Sequence, residues 1–459
     1  MRRIVKGLVA GAALATSLVA GAGAAGAQGK VEIPYTKYAL PNGLTVIIHE
    51  DHTLPLVAVN TMVRVGSHFE EKGRTGFAHL FEHLMFMGTA RAPTKMFDAW
   101  MEAEGGSNNA WTSEDRTDYY DIGPSNTLPL LLWLEADRFS SLGKEMTQSK
   151  LDAQRDVVRN ERRQTSENRP YGKVELRLPE LLYPEGHPYH HPVIGSHEDL
   201  QAATVDDVKT FFSRWYVPNN ASLVVAGDVE PAKVKEAVER LFGGIAKVDV
   251  PAENKAAAPK LTKVVRETLT DRVTLPKVVM AWHSAARFGK GDAEMDLAGE
   301  VLQAGKSSRL YKALVYDKNL AQDVRAEQHS QDLSGYFTIE AIAQPGVTLD
   351  KLEAAIDEQV KKLVAKPVSK EELTRALNQY EMAFVARLQS VPERASLLNT
   401  YQMAVGDPGF IEKDLDRYRK VTATSLHETV KAVLDLNARV VLRIVPKEGK
   451  AGGKEGGDQ

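Results

Sequence analysis

Phe77 to Thr89 reads FAHLFEHLMFMGT, an apolar run that carries His79, Glu82 and His83. The stretch from Gly76 to Met87 reads as a buried helix stopped by Gly88. On an α-helix, positions i and i+4 stand on one face about a turn apart, so His79 and His83 can present two imidazoles to one ion. Glu82 points to nearly the same side and can reach a water held there. Two neutral nitrogens and an open position are what a catalytic zinc requires, with a third ligand from elsewhere. Such an ion lowers the pKa of its water to about 7. The plainer reading makes all three residues packed polar groups of a core helix. The surrounding chain decides between the two.

Strands and helices alternate outward from this stretch. LTVIIHE (44–50) and LVAVNTMVRVG (56–66) read as strands, and AWTSEDRTDYYDIG as a strand with polar decoration. Helices are expected over Lys95–Ala103, Thr127–Phe139, Ser149–Glu167 and Asp206–Trp215, and a strand over 221–229. PAENKAAAPK (251–260) lacks an apolar pattern and reads as a linker, and KEGKAGGKEGGDQ at the end as a disordered tail. The two sides of the linker look alike. Leu54-Pro55 and Leu275-Pro276 each lead into a strand and then a helix, and Asn220-Ala221 and Asn437-Ala438 each open a closing strand. This points to a duplicated α/β unit in which the second helix, AEMDLAGEVLQAG, lacks the paired histidines.

Composition bounds the rest. The 459 residues are 43% hydrophobic and 26% charged, long enough for two domains. Residues 1–27 combine a basic start with a small, apolar run ending in Ala25-Gly26-Ala27, the pattern of a signal peptide cut before Gln28. Losing Arg2, Arg3 and Lys6 with it takes the formal charge from −3 to −6, against nucleic-acid binding. The chain has no cysteine, which excludes thiol catalysis and cysteine–zinc sites. A second histidine cluster, HPYHH (187–191), sits among prolines and reads as a loop. Spacing alone leaves the third ligand open among Glu145, Glu161, Glu167, Glu114 and Asp115.

H-x-x-E-H is the inverted zinc motif. Its surroundings resemble the pitrilysin-type (M16, inverzincin) zinc metallopeptidases, the group of the insulin-degrading enzyme and the mitochondrial processing peptidase. YALPNGLTVIIHED, GFAHLFEHLMFMGT, GGSNNAWTSEDRTDYY, RDVVRNERRQ, HPYHHPVIG, YVPNNASLVVAGDV and SSRLYKAL carry the resemblance. It implies an α+β fold of two homologous units, each an antiparallel sheet flanked by helices. The units are expected at 33–245 and 263–447, with a linker at 246–262 and the tail at 448–459.

The resemblance also implies roles. His79, His83 and Glu161 would be the Zn2+ ligands and Glu82 the catalytic base. Asn109 and Ala110 would lie on an edge strand that pairs with substrate backbone. Asp115 and Thr117 fall where the family supports the histidines. Two departures matter. Gln154 stands where relatives often have a glutamate. Val315 and Gln322, in LVYDKNLAQDV, stand where the family has an arginine and a tyrosine that bind substrate carbonyls and the oxyanion. The expectation is an exported, periplasmic or secreted, zinc-dependent endopeptidase for unfolded peptides or small proteins. It would be the zinc-bearing subunit of a heterodimer whose homologous partner supplies the Arg/Tyr pair, with a homodimer as the other arrangement. The competing expectation is a non-catalytic structural or peptide-binding subunit of the same fold.

Overall fold

The computed structural model describes residues 31–252 and 254–447. The expected signal peptide and tail lie outside them. Two sheets organise the described chain. The first contains β1 (Thr36–Ala39), β2 (Thr45–Glu50), β3 (Leu56–Val63), β4 (Ser107–Thr112), β5 (Thr117–Pro124) and β6 (Ala221–Gly227), in the order β1-β2-β6-β3-β5-β4. The second contains β7 (Val265–Asp271), β8 (Lys277–Ser284), β9 (Ala321–His329), β10 (Gly335–Ala343) and β11 (Val440–Pro446), in the order β7-β11-β8-β10-β9.

The orders superimpose strand for strand once β1 is set aside, so the duplication extends to topology. The sheets are mixed rather than purely antiparallel. β2 pairs parallel with β6, and β7 with β11, while every other pair is antiparallel. The cause is the same in both halves: the closing strand returns after a long helical excursion, which a parallel neighbour requires. The polar stretch expected as one strand is a hairpin, β4 and β5, folded at 113–116.

Every residue of β6 is buried, as are seven of the eight in β3. A sheet buried on both faces needs a layer on each, and the halves exchange helices to supply it. Val391–Val405, from the second half, packs on β3 and β6. Its fully buried Asn399 donates through Nδ2 to Asn60 Oδ1 at 2.6 Å. In return Lys173–Leu182, from the first half, lays Val174, Leu178 and Leu182 against the second sheet, where the Leu182 carbonyl accepts from His283 Nε2 at 2.8 Å. Among the described residues, no helix is long and apolar enough to cross a membrane.

Candidate metal centre and its cleft

The helix Phe77–Leu84 buries Phe77, Leu80, Phe81 and Leu84 in the first core. That i, i+3, i+4, i+7 stripe contributes roughly 1.5–3 kcal/mol per side chain and fixes which way the polar residues face. His79, Glu82 and His83 therefore turn together toward a cleft. The start of the helix is held by Glu70, whose carboxylate accepts the backbone N–H of Gly76 at 2.9 Å and of Ala78 at 2.7 Å. A carboxyl oxygen there satisfies otherwise orphaned donors, even though burial raises the Glu70 pKa.

A second helix, Gln148–Glu161, runs alongside and ends on Glu161. Glu161 Oε2 stands 3.2 Å from His83 Nε2 and 3.7 Å from His79 Nε2. Of the carboxylates that spacing left open, the structure brings this one to both imidazoles. Glu145 instead binds the Ala90 N–H, and Glu167 binds Arg162 and His197. Immediately after Glu161 the helix widens into a π-helical turn, Arg162–Glu167, a feature frequent at functional sites.

Zn–N and Zn–O bonds of about 2.0–2.1 Å in a tetrahedron place ligand atoms roughly 3.3 Å apart. The separations found here are close to that, so the residues fit a zinc ion. The electrostatics agree. Burial, then the neighbouring His83 charge, lowers His79 to about 4, keeping it neutral and free to ligate. Burial also pulls His83 down, but the Glu161 hydrogen bond and the Glu82 and Glu161 charges outweigh it and raise its pKa. Glu161 is lowered chiefly by that same bond.

Glu82 is buried, and that burial raises its pKa. Thr112 Oγ1 donates to Glu82 Oε2 at 2.5 Å, which favours the charged carboxylate. Thr112 belongs to β4, so the edge strand touches the candidate base directly. Spacing arguments did not find it, because a strand–helix hydrogen bond leaves no local pattern. Asp115 and Thr117 differ from expectation. Asp115 Oδ1 accepts from Tyr189 Oη and His68 Nδ1, and its Oδ2 accepts the Asp332 N–H at 3.0 Å. It ties the β4–β5 turn to the second half rather than supporting His79 and His83. Thr117 donates to the Val65 carbonyl and lies 3.5 Å from Thr112 Oγ1.

Among the described residues β4 ends the first sheet, and no strand pairs with its outer edge. Asn109 and Ala110 line the same cleft as the histidines, and the Ala110 N–H is bonded to Asn109 Oδ1 at 2.8 Å. The cleft, of about 1090 Å³, exceeds the 300–1,000 Å³ usual for small-molecule sites, which suits a peptide. Its far wall is the second sheet: Asp323, Arg325, Glu327 and His329 alternate along β9, with Tyr336 and Glu340 beside them. Gln154 lies against His83 and donates to Met87 Sδ, so the position is neutral but still in contact. Val315 packs half-buried on the second core and Gln322 is exposed; neither lines the cleft. HPYHH is a loop, with His190 Nδ1 bonded to the Tyr183 carbonyl.

Residues 45–188 match the sequence profile of "Insulinase (Peptidase family M16)" and residues 202–380 that of "Peptidase M16 inactive domain". The chain belongs to peptidase family M16. Within M16 it is 31% identical over 342 residues to the zinc protease PqqE of Helicobacter pylori, covering 73% of this chain and 76% of that one. It is 26% identical over 343 residues to the uncharacterized zinc protease YmxG of Bacillus subtilis, covering 73% and 80%. A crystal structure of a protease from Helicobacter pylori superimposes with a TM-score of 0.85 at 27% identity, over 91% of this chain and all of that one. The fold is also that of the first half of the periplasmic protease PqqL from Escherichia coli, with a TM-score of 0.73 at 18% identity over 90% and 92% of the two chains. Against whole PqqL this M16 chain covers 48% of the length. The profile named for an inactive domain starts within the first half and runs into the second, whose matching helix, Asp292–Gln303, has no histidine pair.

Proposed function

We propose that the chain is an exported, zinc-dependent endopeptidase acting on unfolded peptides or small proteins, and the zinc-bearing subunit of a heterodimer. One observation carries the reading: His79, His83 and Glu161 converge beside a buried Glu82 that is hydrogen-bonded to an edge strand in the same cleft. The names of the M16 relatives, zinc proteases, support zinc as the metal.

His79, His83 and Glu161 would hold the ion. When bound, zinc supplies a Lewis acid and makes water a competent nucleophile near neutral pH. A peptide strand adds to the outer edge of β4, replacing the Asn109 side chain on the Ala110 N–H with a substrate carbonyl. That docking sets the scissile bond beside Thr112 and hence beside Glu82. Glu82 takes the proton of the attacking water and hands it to the departing amine nitrogen. Burial serves the second step, since a carboxyl with a raised pKa holds the proton until the leaving group needs it. Thr112 serves the first by keeping enough of Glu82 charged.

Val315 cannot donate a hydrogen bond, and neither it nor Gln322 reaches the cleft. On this reading the Arg/Tyr pair that binds the oxyanion comes from a homologous partner subunit. A missing donor of this kind costs about 10²–10³ in rate. The test is hydrolysis of a quenched, unstructured peptide by the zinc-loaded mature chain alone and after addition of a homologous subunit carrying the Arg/Tyr pair. Near-zero turnover alone and a rise of at least 10² on addition are expected. Full turnover by a homodimer of this chain would contradict the heterodimer.

A further inference from the structure

A second cavity, of about 480 Å³, opens on the opposite side of β4 from the histidine helix. Its walls come from the β4–β5 hairpin and from second-half helices that include Val391–Val405. Trp111 lines both this cavity and the catalytic cleft, so the two spaces meet at the edge strand.

Strand geometry makes that meeting matter. Successive side chains of a strand alternate between the faces of its sheet. On β4, Asn108, Ala110 and Thr112 are half-buried and Thr112 reaches Glu82, whereas Ser107, Asn109 and Trp111 form the more exposed set. A peptide strand added beside β4 alternates in the same way. Every second side chain points toward the histidine helix, and the intervening ones point toward Trp111 and the second cavity.

The acids of that cavity already have partners. Asp292 and Asp414 bond to Arg417 at 3.0 and 2.9 Å, Glu393 to Arg387 at 3.0 Å, and Asp296 accepts from the Tyr418 hydroxyl at 2.7 Å. Arg116 differs. Its guanidinium is 4% exposed, and Nη2 forks onto Asp332 at 2.6 and 2.8 Å, while Nη1 has no partner. Among the described residues lining the cavity, it is the one buried polar side-chain atom left unbonded. Such a donor bears its desolvation cost with nothing to offset it, and a carboxylate is the acceptor that fits a guanidinium best.

We infer that this cavity is a subsite for a carboxylate of the bound peptide, received by Arg116 Nη1 with Trp111 at the entrance. The inference rests on the reading that substrate adds to β4. The carboxylate has two sources, an Asp or Glu side chain at one of the alternating positions, or the peptide's own C-terminus.

Binding rather than turnover separates this subsite from the catalytic reading. The Glu82→Gln chain, in the assembly it forms in solution, is titrated by anisotropy with labelled peptides. These carry Glu or Gln at each position in turn, with a free or amidated C-terminus. A Glu preference of about tenfold or more, confined to alternate positions, assigns the side-chain source. The same preference for the free acid over the amide assigns the terminus. Arg116→Lys keeps a cation facing Asp332 but lacks the second nitrogen, so it should abolish the preference while leaving the Gln peptides unchanged. Arg116→Leu is the harsher variant, and the preference in the Arg116 chain stands as a readout should either fail to fold. Equal binding of Glu and Gln peptides, and of acid and amide, removes the subsite and leaves β4 docking intact. A preference that survives Arg116→Lys overturns the assignment to Arg116. Failure of every peptide to bind removes both readings.

Discussion

Thr112→Val tests whether the edge strand controls the base. The substitution keeps the shape and β-branching that suit a strand and deletes only the hydroxyl that donates to Glu82 Oε2 at 2.5 Å. A hydrogen bond to a charged group is worth about 1.5–3 kcal/mol. If that bond is present in the transition state but not replaced by water, kcat falls by about 10- to 150-fold. The sign of the pH effect is fixed as well. The hydroxyl favours charged Glu82 against the burial that raises its pKa, so its loss pushes that pKa higher. The acidic limb of the kcat/KM profile should then move to higher pH. Thr112→Ser should restore both. The assay is steady-state hydrolysis of a quenched peptide from pH 5 to 9 with zinc content measured in parallel. Unchanged kcat with an unmoved acidic limb would refute the coupling, as would a change confined to KM.

Three further outcomes follow from the same geometry. Glu70→Ala leaves the first donors of the histidine helix unpaired and should cost about 1–3 kcal/mol in urea unfolding, together with weaker zinc retention. Asp296 is pushed up to about 7 by burial and by Asp292, so its stabilising, protonated form is complete below about pH 4 and is lost as pH rises through 7. Asp296→Asn should therefore flatten the thermal midpoint between pH 4 and 7 and exceed the unaltered chain above pH 7. Ala110→Pro removes the edge N–H offered to substrate at a position where proline is tolerated. It should lower kcat/KM several-fold with little change in thermal midpoint.

The residues that were legible in the sequence are those whose relation is local. His79, Glu82 and His83 sit within one helical turn, so period alone sets their common face. Glu161 was not recoverable from spacing, because its approach depends on how two helices pack; the family resemblance pointed to it. Thr112 and Glu70 act across a strand–helix and a loop–helix contact, and neither leaves a periodic trace. The 113–116 turn leaves little trace in the sequence, since Ser-Glu-Asp-Arg contains none of the glycine or proline that usually mark a hairpin. The family resemblance points to Asp115 as a support for His79 and His83. Tyr189 and the Asp332 backbone claim it instead, and both come from segments that only the fold brings close. The exchange of helices between the halves was equally silent, since an amphipathic helix does not record which sheet it covers.

The most direct measurement pairs bound zinc with peptide turnover for the chain and its Glu82→Gln variant, each isolated in the assembly it forms. If Glu82 moves the proton while His79, His83 and Glu161 hold the ion, the variant keeps one zinc per chain and loses hydrolysis. Undiminished turnover by Glu82→Gln, or loss of its zinc, would contradict that division of roles.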